Sequence, residues 1–330
     1  MRLAILGAGA WGTALAIALA SRHQIALWVR DPVQCRGLVA NRLNARYLPD
    51  AAIPQQVRIT SDIKSAIESS ELIVVAVPTL AFRQTLRLVA SMSCVTGLVW
   101  LCKGFESGSA KFPHQVAEEE LPAAQPRAAL SGPSFASEVA RGLPAAVTLA
   151  SHDAQFAALA ARALHTGLLR VYSSTDVVGV ETGGAIKNII AIAAGVCDGM
   201  ELGASARAAV ITRGLAEMTR LGLRLGGRTE TFMGLAGAGD LLLTATSDLS
   251  RNRRVGLHLA KGQALPAVLA NLGHVAEGVH SAKEVLRLAE QLDVDMPITT
   301  AISRLLDGAS TAPDLVGELL QRERKHESVP

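Results

Sequence analysis

The chain has 330 residues, is 49% apolar with 3% aromatic residues, and carries a formal net charge of +3. That length predicts two domains rather than one, with apolar residues enough for a sizeable core. So small an excess of charge excludes nucleic acid or an anionic membrane surface as the main partner.

Leu3 to Leu6 is a short apolar run, followed by Gly7-Ala8-Gly9-Ala10-Trp11-Gly12 and the apolar stretch Thr13 to Ala20. Read as strand, tight turn and helix, this is a dinucleotide-binding fingerprint. Gly7 allows the turn, Gly9 lets backbone approach a pyrophosphate, and Gly12 lets the helix pack close to the strand. The helix N-terminus adds unpaired N–H groups and a partial positive charge. The uncharged run Leu3 to Ser21 also has the form of a signal peptide or a short membrane span. Three glycines in its first half would weaken such a helix, and Gln24 to Val29 follows as a second strand. No membrane insertion is therefore expected.

Arg30 and Asp31 come next, where a dinucleotide fold reads the adenosine ribose. An acid there suits the 2′-hydroxyl of NAD(H) and an arginine the 2′-phosphate of NADP(H). Arg30 comes first and leans towards NADP(H), yet both cofactors stay open, and a plain loop ion pair is the alternative. The spacing then predicts a helix over Val33–Asn41 behind Asp31-Pro32, a strand over Val57–Thr60, and a helix over Ser61–Ser69 capped by Ser61 or Asp62. Leu72 to Val77 is a continuous apolar run ending at Pro78, as in a strand buried on both faces. A helix to about Ala90 and a strand over Gly97–Cys102 follow, with Lys103-Gly104 at its end. Next come a helix around Gln115–Glu120 and a strand over Arg127–Leu130 that runs into Ser131-Gly132-Pro133-Ser134. A strand over Ala145–Ala150, a helix over Ala154–Leu164 and a strand near Leu168–Tyr172 close the series. Alternation of strand and helix from residue 2 to about 174 predicts an α/β domain, a Rossmann-like doubly wound parallel sheet over residues 1–175. Ligands of such sheets bind beyond the carboxyl ends of the strands, where Lys103 and the Ser131–Ser134 turn fall.

From Thr175 the pattern is helical, so residues 176–330 are expected to form an all-helical second domain for substrate and catalysis. A helix from about Val177 to Cys197 carries Lys187 and Asn188 among Ile186, Ile189, Ile190 and Ile192. A lysine is costly to bury there without a partner. It either snorkels to the surface or serves as an acid–base group whose pKa burial lowers. Further helices are expected around Ala204–Leu223, Arg251–Lys261 and Ala264–Leu272. Gly234-Leu235-Ala236-Gly237-Ala238-Gly239-Asp240 reads as a glycine-rich loop ending in an acid. Ser250-Arg251-Asn252-Arg253-Arg254 places three arginines in a helix's first turn, against the macrodipole. A bound anion would repair that, with Ser250 as cap and Arg251 and Asn252 as phosphate ligands; an exposed basic face is the bland alternative. Cys35, Cys94, Cys102 and Cys197 form no C-x-x-C pair, which suits a reducing cytoplasm. The eight histidines show no ligand spacing, so no metal is expected. The polar tail from Gln321 to Pro330 is expected to fray.

A nicotinamide cofactor, two lysines, an aspartate and a phosphate-binding turn together suggest hydride transfer to a phosphorylated carbonyl compound. The chain resembles, from end to end, the bacterial NAD(P)-dependent glycerol-3-phosphate dehydrogenases. The stretches that carry the likeness are GAGAWGTALA (Gly7 to Ala16), CKGFE (Cys102 to Glu106), SGPSFASEVA (Ser131 to Ala140) and GAIKNIIAIAAGVCDG (Gly184 to Gly199). ITRGLAEM (Ile211 to Met218), GLAGAGDLLLTATSDLSRNRRVG (Gly234 to Gly256) and VAEGVHSA (Val275 to Ala282) complete it.

The resemblance implies cofactor contacts from Ala10, Trp11, Arg30 and Ala136, and places Lys103 between cofactor and substrate. It implies substrate contacts from Gly132, Ser134 and Asp240, and makes Lys187 the acid–base residue, oriented by Asp240. Ser250, Arg251 and Asn252 would hold the phosphate, with Arg251 also near the cofactor, and Val275 and Glu277 would close over the nicotinamide. Many relatives have serine at position 10, so one hydroxyl contact is absent here. Met200 to Ala206 receives no role. The implied reaction is reduction of dihydroxyacetone phosphate to sn-glycerol 3-phosphate for glycerophospholipid synthesis, by a metal-independent cytoplasmic homodimer. Two alternatives are a β-hydroxyacid or ketopantoate-type dehydrogenase, and a non-catalytic NAD(P)H sensor.

Overall fold

A computed structural model describes residues 1–92, 96–272 and 276–321. The contacts divide the chain into two compact units, Met1–Cys102 with Pro113–Val177, and Lys103–Phe112 with Val178 onwards. The segment Lys103–Phe112 thus belongs with the helical unit, although it lies within the stretch read as the first domain.

The first unit runs β1 (Arg2–Leu6), α1 (Ala10–Leu19), β2 (Gln24–Trp28), α2 (Pro32–Asn41), β3 (Leu43–Asn44), β4 (Leu48–Ala52), β5 (Arg58–Thr60), α3 (Ile63–Ile67), β6 (Leu72–Val75), α4 (Thr79–Ala90) and β7 (Leu98–Trp100). It continues through α5 (Pro113–Glu120), β8 (Arg127–Ser131), α6 (Ala136–Ala140), β9 (Ala145–Ala150), α7 (Ala154–Leu164) and β10 (Leu169–Ser174). Eight strands form one sheet in the order β10-β9-β8-β7-β6-β1-β2-β5. The central strands β1 and β6 are apolar almost throughout because helices cover both faces.

The sheet is parallel-dominant, as expected, and two features add detail to it. β8 pairs with β9 antiparallel, with Leu130 opposite Leu149. The only helix between them is the five-residue α6, about 7.5 Å long, too short to carry the chain back along a strand for a parallel crossover. Second, β3 and β4 form a separate antiparallel hairpin, which the sequence pattern did not reveal.

The second unit contains α8 (Val177–Gly199), α9 (Gly203–Arg224), α10 (Thr229–Met233), a π-helical turn (Leu235–Gly239), α11 (Asp240–Thr246), α12 (Arg251–Ala260), α13 (Leu265–Leu272), α14 (Glu277–Gln291), α15 (Pro297–Leu306) and α16 (Ala312–Gln321). The expected glycine-rich loop at 234–240 is therefore helical, a π turn running straight into α11. α8 is long and apolar enough to cross a membrane, but it is the core helix of this unit, almost wholly buried by its neighbours. It is approached at backbone distance. A Cβ on Gly195 would lie 1.9 Å from the Arg253 carbonyl oxygen, and one on Gly256 would lie 1.9 Å from that of Ile192. No side chain fits at either place, so α8 and α12 are locked in one register. The expected tail beyond Gln321 and the cysteine at 94 lie outside the described residues.

Candidate active site

Lys187 projects from the middle of α8 and is 7% exposed. Its ammonium does not snorkel. Lys187 Nζ donates to Asp240 Oδ1 at 2.6 Å and to Thr244 Oγ1 at 3.0 Å. Lys103 Nζ donates to the other carboxylate oxygen, Asp240 Oδ2, at 2.7 Å. One buried carboxylate thus holds two lysines, one on each oxygen. Thr244 lies one turn after Asp240 on α11, and its hydroxyl donates to the Asp240 carbonyl at 2.6 Å, which turns its lone pairs towards Lys187.

The charges follow from this geometry. Burial lowers the Lys187 ammonium from its ordinary 10.5 to about 8; Asp240 opposes that and Lys103 reinforces it. Burial pushes the Asp240 carboxyl up, but Lys103 and Lys187 outweigh it and hold the carboxyl below its usual range. Glu277, the first residue of α14, is lifted by burial above the usual carboxylate range, against the pull of Arg251, Lys103 and Lys187. The cluster thus holds two lysines against one charged carboxylate, with the Lys187 ammonium lowered towards neutral pH.

The first turn of α12 is more structural than its sequence suggests. Ser250 caps the helix, its Oγ accepting from the Arg253 amide at 3.2 Å. Arg253 is not an anion ligand. It is buried, its Nε donates to Asp198 Oδ2 at 2.7 Å, and its Nη1 reaches Asp248 Oδ1 at 2.6 Å. Two carboxylates already offset its charge, so the argument for a bound anion rests on Arg251 and Arg254, both exposed. Asn252 is also engaged. Its Nδ2 donates to Asn188 Oδ1 at 2.9 Å, and its Oδ1 accepts from the Gly278 amide at 3.0 Å, capping α14 from a distance. Among the described residues the other amide hydrogen of Asn252 has no partner. Arg207 from α9 joins the same network, donating to Asp198 Oδ1 at 2.7 Å just beyond the stretch given no role.

In the first unit the glycines of the fingerprint divide by cause. Gly7 has φ +112°, and a Cβ there would lie 2.6 Å from the Ala76 carbonyl oxygen. A Cβ on Gly12 would lie 1.9 Å from the Gly7 carbonyl oxygen. The fold itself demands both glycines. Gly9 is different: its φ is −77° and no atom lies within 4 Å of where its Cβ would be. Nothing among the described residues requires glycine there, so the space suits a ligand brought against the backbone. No side chain caps α1 at this end. A pyrophosphate therefore fits, with open backbone and a helix N-terminus to receive it. Ala10 and Trp11 open that helix and are partly buried against the core.

At the end of β2, Asp31 caps α2, its Oδ1 accepting from Val33 N at 2.9 Å and its Oδ2 from Gln34 N at 3.3 Å. Arg30 is exposed beside it. Gly132, at φ +140°, has its Cβ position 2.8 Å from Val147 Cα, so packing alone explains that glycine. The Ser134 hydroxyl donates to the Gly132 carbonyl at 3.0 Å within the same turn. Ala136 opens α6 and is buried. Val275 lies outside the described residues. Among the described residues no group of three His, Cys, Asp or Glu side chains is arranged to hold a metal ion.

Residues 2–157 match the family described as NAD-dependent glycerol-3-phosphate dehydrogenase N-terminus, and residues 176–317 match its C-terminus. The chain belongs to the NAD-dependent glycerol-3-phosphate dehydrogenase family. A curated glycerol-3-phosphate dehydrogenase [NAD(P)+] from Nitrosospira multiformis is 57% identical over 99% of both chains. The crystal structure of glycerol-3-phosphate dehydrogenase from Coxiella burnetii, 40% identical, aligns over 97% of this chain and 99% of its own with a TM-score of 0.92. A ketopantoate reductase from Ralstonia eutropha, at 18% identity and a TM-score of 0.58 over 93% of this chain and 97% of its own, shares the fold alone.

For this glycerol-3-phosphate dehydrogenase family member, the sequence reading brought Lys103, Lys187 and Asp240 forward, and the structure joins all three on one carboxylate. It missed Thr244, whose signal was available: four residues after Asp240 is the same face of a helix. It also missed the Asp198 partner of Arg253, 55 residues earlier in the chain.

Proposed function

We propose that this chain is the NAD(P)-dependent enzyme that interconverts dihydroxyacetone phosphate and sn-glycerol 3-phosphate, with Lys187 as its acid–base residue. The observation that carries the residue assignment is the buried Asp240 carboxylate holding two lysines, one of them lowered to about 8. When bound, the nicotinamide cofactor supplies or accepts the hydride. Lys187 gives its Nζ proton to the carbonyl oxygen in reduction and takes the hydroxyl proton in oxidation. A group with its pKa near the working pH serves both directions. Lys103 offsets negative charge developing on that oxygen. Asp240 orients both ammoniums, and Thr244 fixes the second contact of Lys187.

Arg251, with the remaining amide hydrogen of Asn252 and the capped turn at Ser250, binds the phosphate end, and Arg251 also borders the cofactor. Gly132 and Ser134 contribute the other substrate contacts. Gly7, Gly9, Ala10, Trp11, Gly12 and Ala136 form the cofactor's seat in the first unit; Lys103 and Glu277 are assigned to the cofactor by the family likeness alone. Asp31 is spent as a helix cap, which supports Arg30 as the reader of the ribose end and favours NADP(H). The cell compartment is the cytoplasm and the assembly a homodimer, as the family likeness suggests; nucleic acid plays no part.

The test is cofactor oxidation with dihydroxyacetone phosphate, run with NADPH and NADH in parallel. Turnover with a higher kcat/KM for NADPH is expected, and Arg30→Ala should weaken NADPH more than NADH. Equal losses for the two would remove Arg30 from the ribose end. Cofactor binding without turnover would overturn the reaction itself.

A further inference from the structure

The fingerprint turn is held from behind by a residue that lies outside the fingerprint. α2 ends with Arg42 in the left-handed region, at φ 51°. The chain then reverses into the β3–β4 hairpin, fastened by Ile53 N donating to the Arg42 carbonyl at 2.7 Å and Arg42 Nη1 donating to the Val57 carbonyl at 2.7 Å. This brings Asn44, 1% exposed, under the first turn of α1. One amide group there makes two bonds. Asn44 Nδ2 donates to the Ala8 carbonyl at 3.0 Å and to Thr13 Oγ1 at 2.8 Å. Gln34 Nε2 adds a longer bond to the same carbonyl at 3.3 Å.

The consequence lies in peptide geometry. A trans peptide is planar, and its C=O and N–H point to opposite sides. Anchoring the Ala8 carbonyl inwards therefore fixes the Gly9 N–H on the other side. That is the residue whose missing side chain leaves open space. The second bond, to Thr13, ties the same plane to the helix that carries the positive end of its dipole.

We propose that Asn44 is a positioning residue of the dinucleotide site, which sets the Ala8–Gly9 peptide so that its N–H is ready for the cofactor's pyrophosphate before binding. The proposal rests on the reading of the Gly7–Gly12 turn as the cofactor's seat. Asn44 touches no reacting atom, and its contribution is preorganisation: without it, binding must first order the turn.

The experiment is steady-state kinetics on the full chain for Asn44→Ala, Thr13→Val and Gly9→Ala, with melting temperatures. Asn44→Ala should raise the KM for NADPH about tenfold, while kcat at saturating cofactor and the KM for dihydroxyacetone phosphate stay within about twofold. A role confined to stability would lower the melting temperature without that split. Thr13→Val keeps the Ala8 bond and loses the other, so it should raise the same KM by about two- to threefold; it serves should Asn44→Ala not fold. Gly9→Ala, which meets no atom of the chain, should keep the melting temperature and weaken NADPH. If Gly9→Ala weakens NADPH but the Asn44 and Thr13 variants leave its KM unchanged, the positioning role of Asn44 is wrong. If Gly9→Ala also leaves the KM unchanged, the reading of the turn as the cofactor's seat is what fails.

Discussion

Asp240 and Glu217 are both almost wholly buried in the helical unit, at 1% and 2% exposure, yet their carboxyls are driven in opposite directions. Asp240 faces two ammoniums and is held below its usual range. Among the described residues Glu217, on α9, accepts only from neutral donors: Ile298 N at 2.6 Å, Thr299 N at 3.1 Å and Thr299 Oγ1 at 3.0 Å. Burial raises it from 4.5 to about 7, against those bonds and the nearby Arg220. Burial costs both groups the same kind of solvation, and the partners decide the outcome. With lysines on both oxygens a carboxylate stays charged and can steer protons. With amides on its oxygens it fastens the start of α15, where Met296 offers no cap of its own. On the proposed function the first corner serves chemistry, whereas the second serves structure.

The strongest way to break this comparison is to remove the acid–base group. Lys187→Ala should lower kcat by about 10²- to 10⁴-fold, the range for a positioned general acid, while NADPH still binds, as tryptophan fluorescence would show. Near-normal turnover would place the proton transfer elsewhere.

The pH profile sharpens the same corner. Lys187 is protonated below about 8. Reduction needs the proton, so its rate should fall as pH rises through that value. Oxidation needs the neutral amine, so its rate should rise over the same interval. Asp240→Asn removes the charge that opposes the lowering and leaves Lys103 in place, so the limb should move to lower pH as turnover drops. A limb that stays put would mean Lys187 is not the group being titrated.

At the other corner a substitution should act on stability and not on turnover. Glu217→Gln loses one of the two carboxylate acceptors at the start of α15, a loss of about 1–3 kcal/mol. The sign of the pH dependence follows from linkage. The native group binds its proton more tightly than the unfolded one, whose value is 4.5. Its contribution is therefore complete below 4.5 and declines as pH climbs to about 7. Wild type should lose melting temperature across that interval more steeply than Glu217→Gln, with kcat unchanged between the two.

How far these corners could be read from sequence depended on where their partners lie. Lys187 was legible because a lysine between Ile186 and Ile189 breaks an apolar pattern. Asp240 was legible as the acid that ends a glycine-rich run, but the helical form of that run was not. Each glycine costs a helix roughly 1 kcal/mol, and here tertiary contact overrides that: a Cβ on Gly183 of α8 would lie 2.4 Å from the Ala236 carbonyl oxygen, so α8 and the π turn meet at backbone distance. Glu217 and Asn44 were illegible as partners because they bind backbone amides and carbonyls, which carry no side-chain signature, and threonine hydroxyls far away in the chain. The alternation of strand and helix revealed the sheet, whereas the reversal of β9 depends on the length of α6, which no periodicity in five residues can announce.

Arg253 permits the finest test, because it binds two carboxylates at one distance that differ strongly in shielding. The Asp198 side chain is 13% exposed and that of Asp248 97%, each 2.6 Å from the guanidinium. Coulomb's law in a partly buried setting gives the first pair weight, while solvent and salt screen the second. Asp198 also receives Arg207, so it joins α8, α9 and α12. Asp198→Asn should lower stability by about 1–3 kcal/mol, since it leaves a buried guanidinium poorly compensated. It should also raise the KM for dihydroxyacetone phosphate, because the turn bearing Ser250, Arg251 and Asn252 loses its brace against α8. Asp248→Asn should leave both the melting temperature and the KM unchanged. Equal effects from the two variants would show that distance, and not shielding, governs the pair, and would undercut the contrast between Asp240 and Glu217 on the same physical ground.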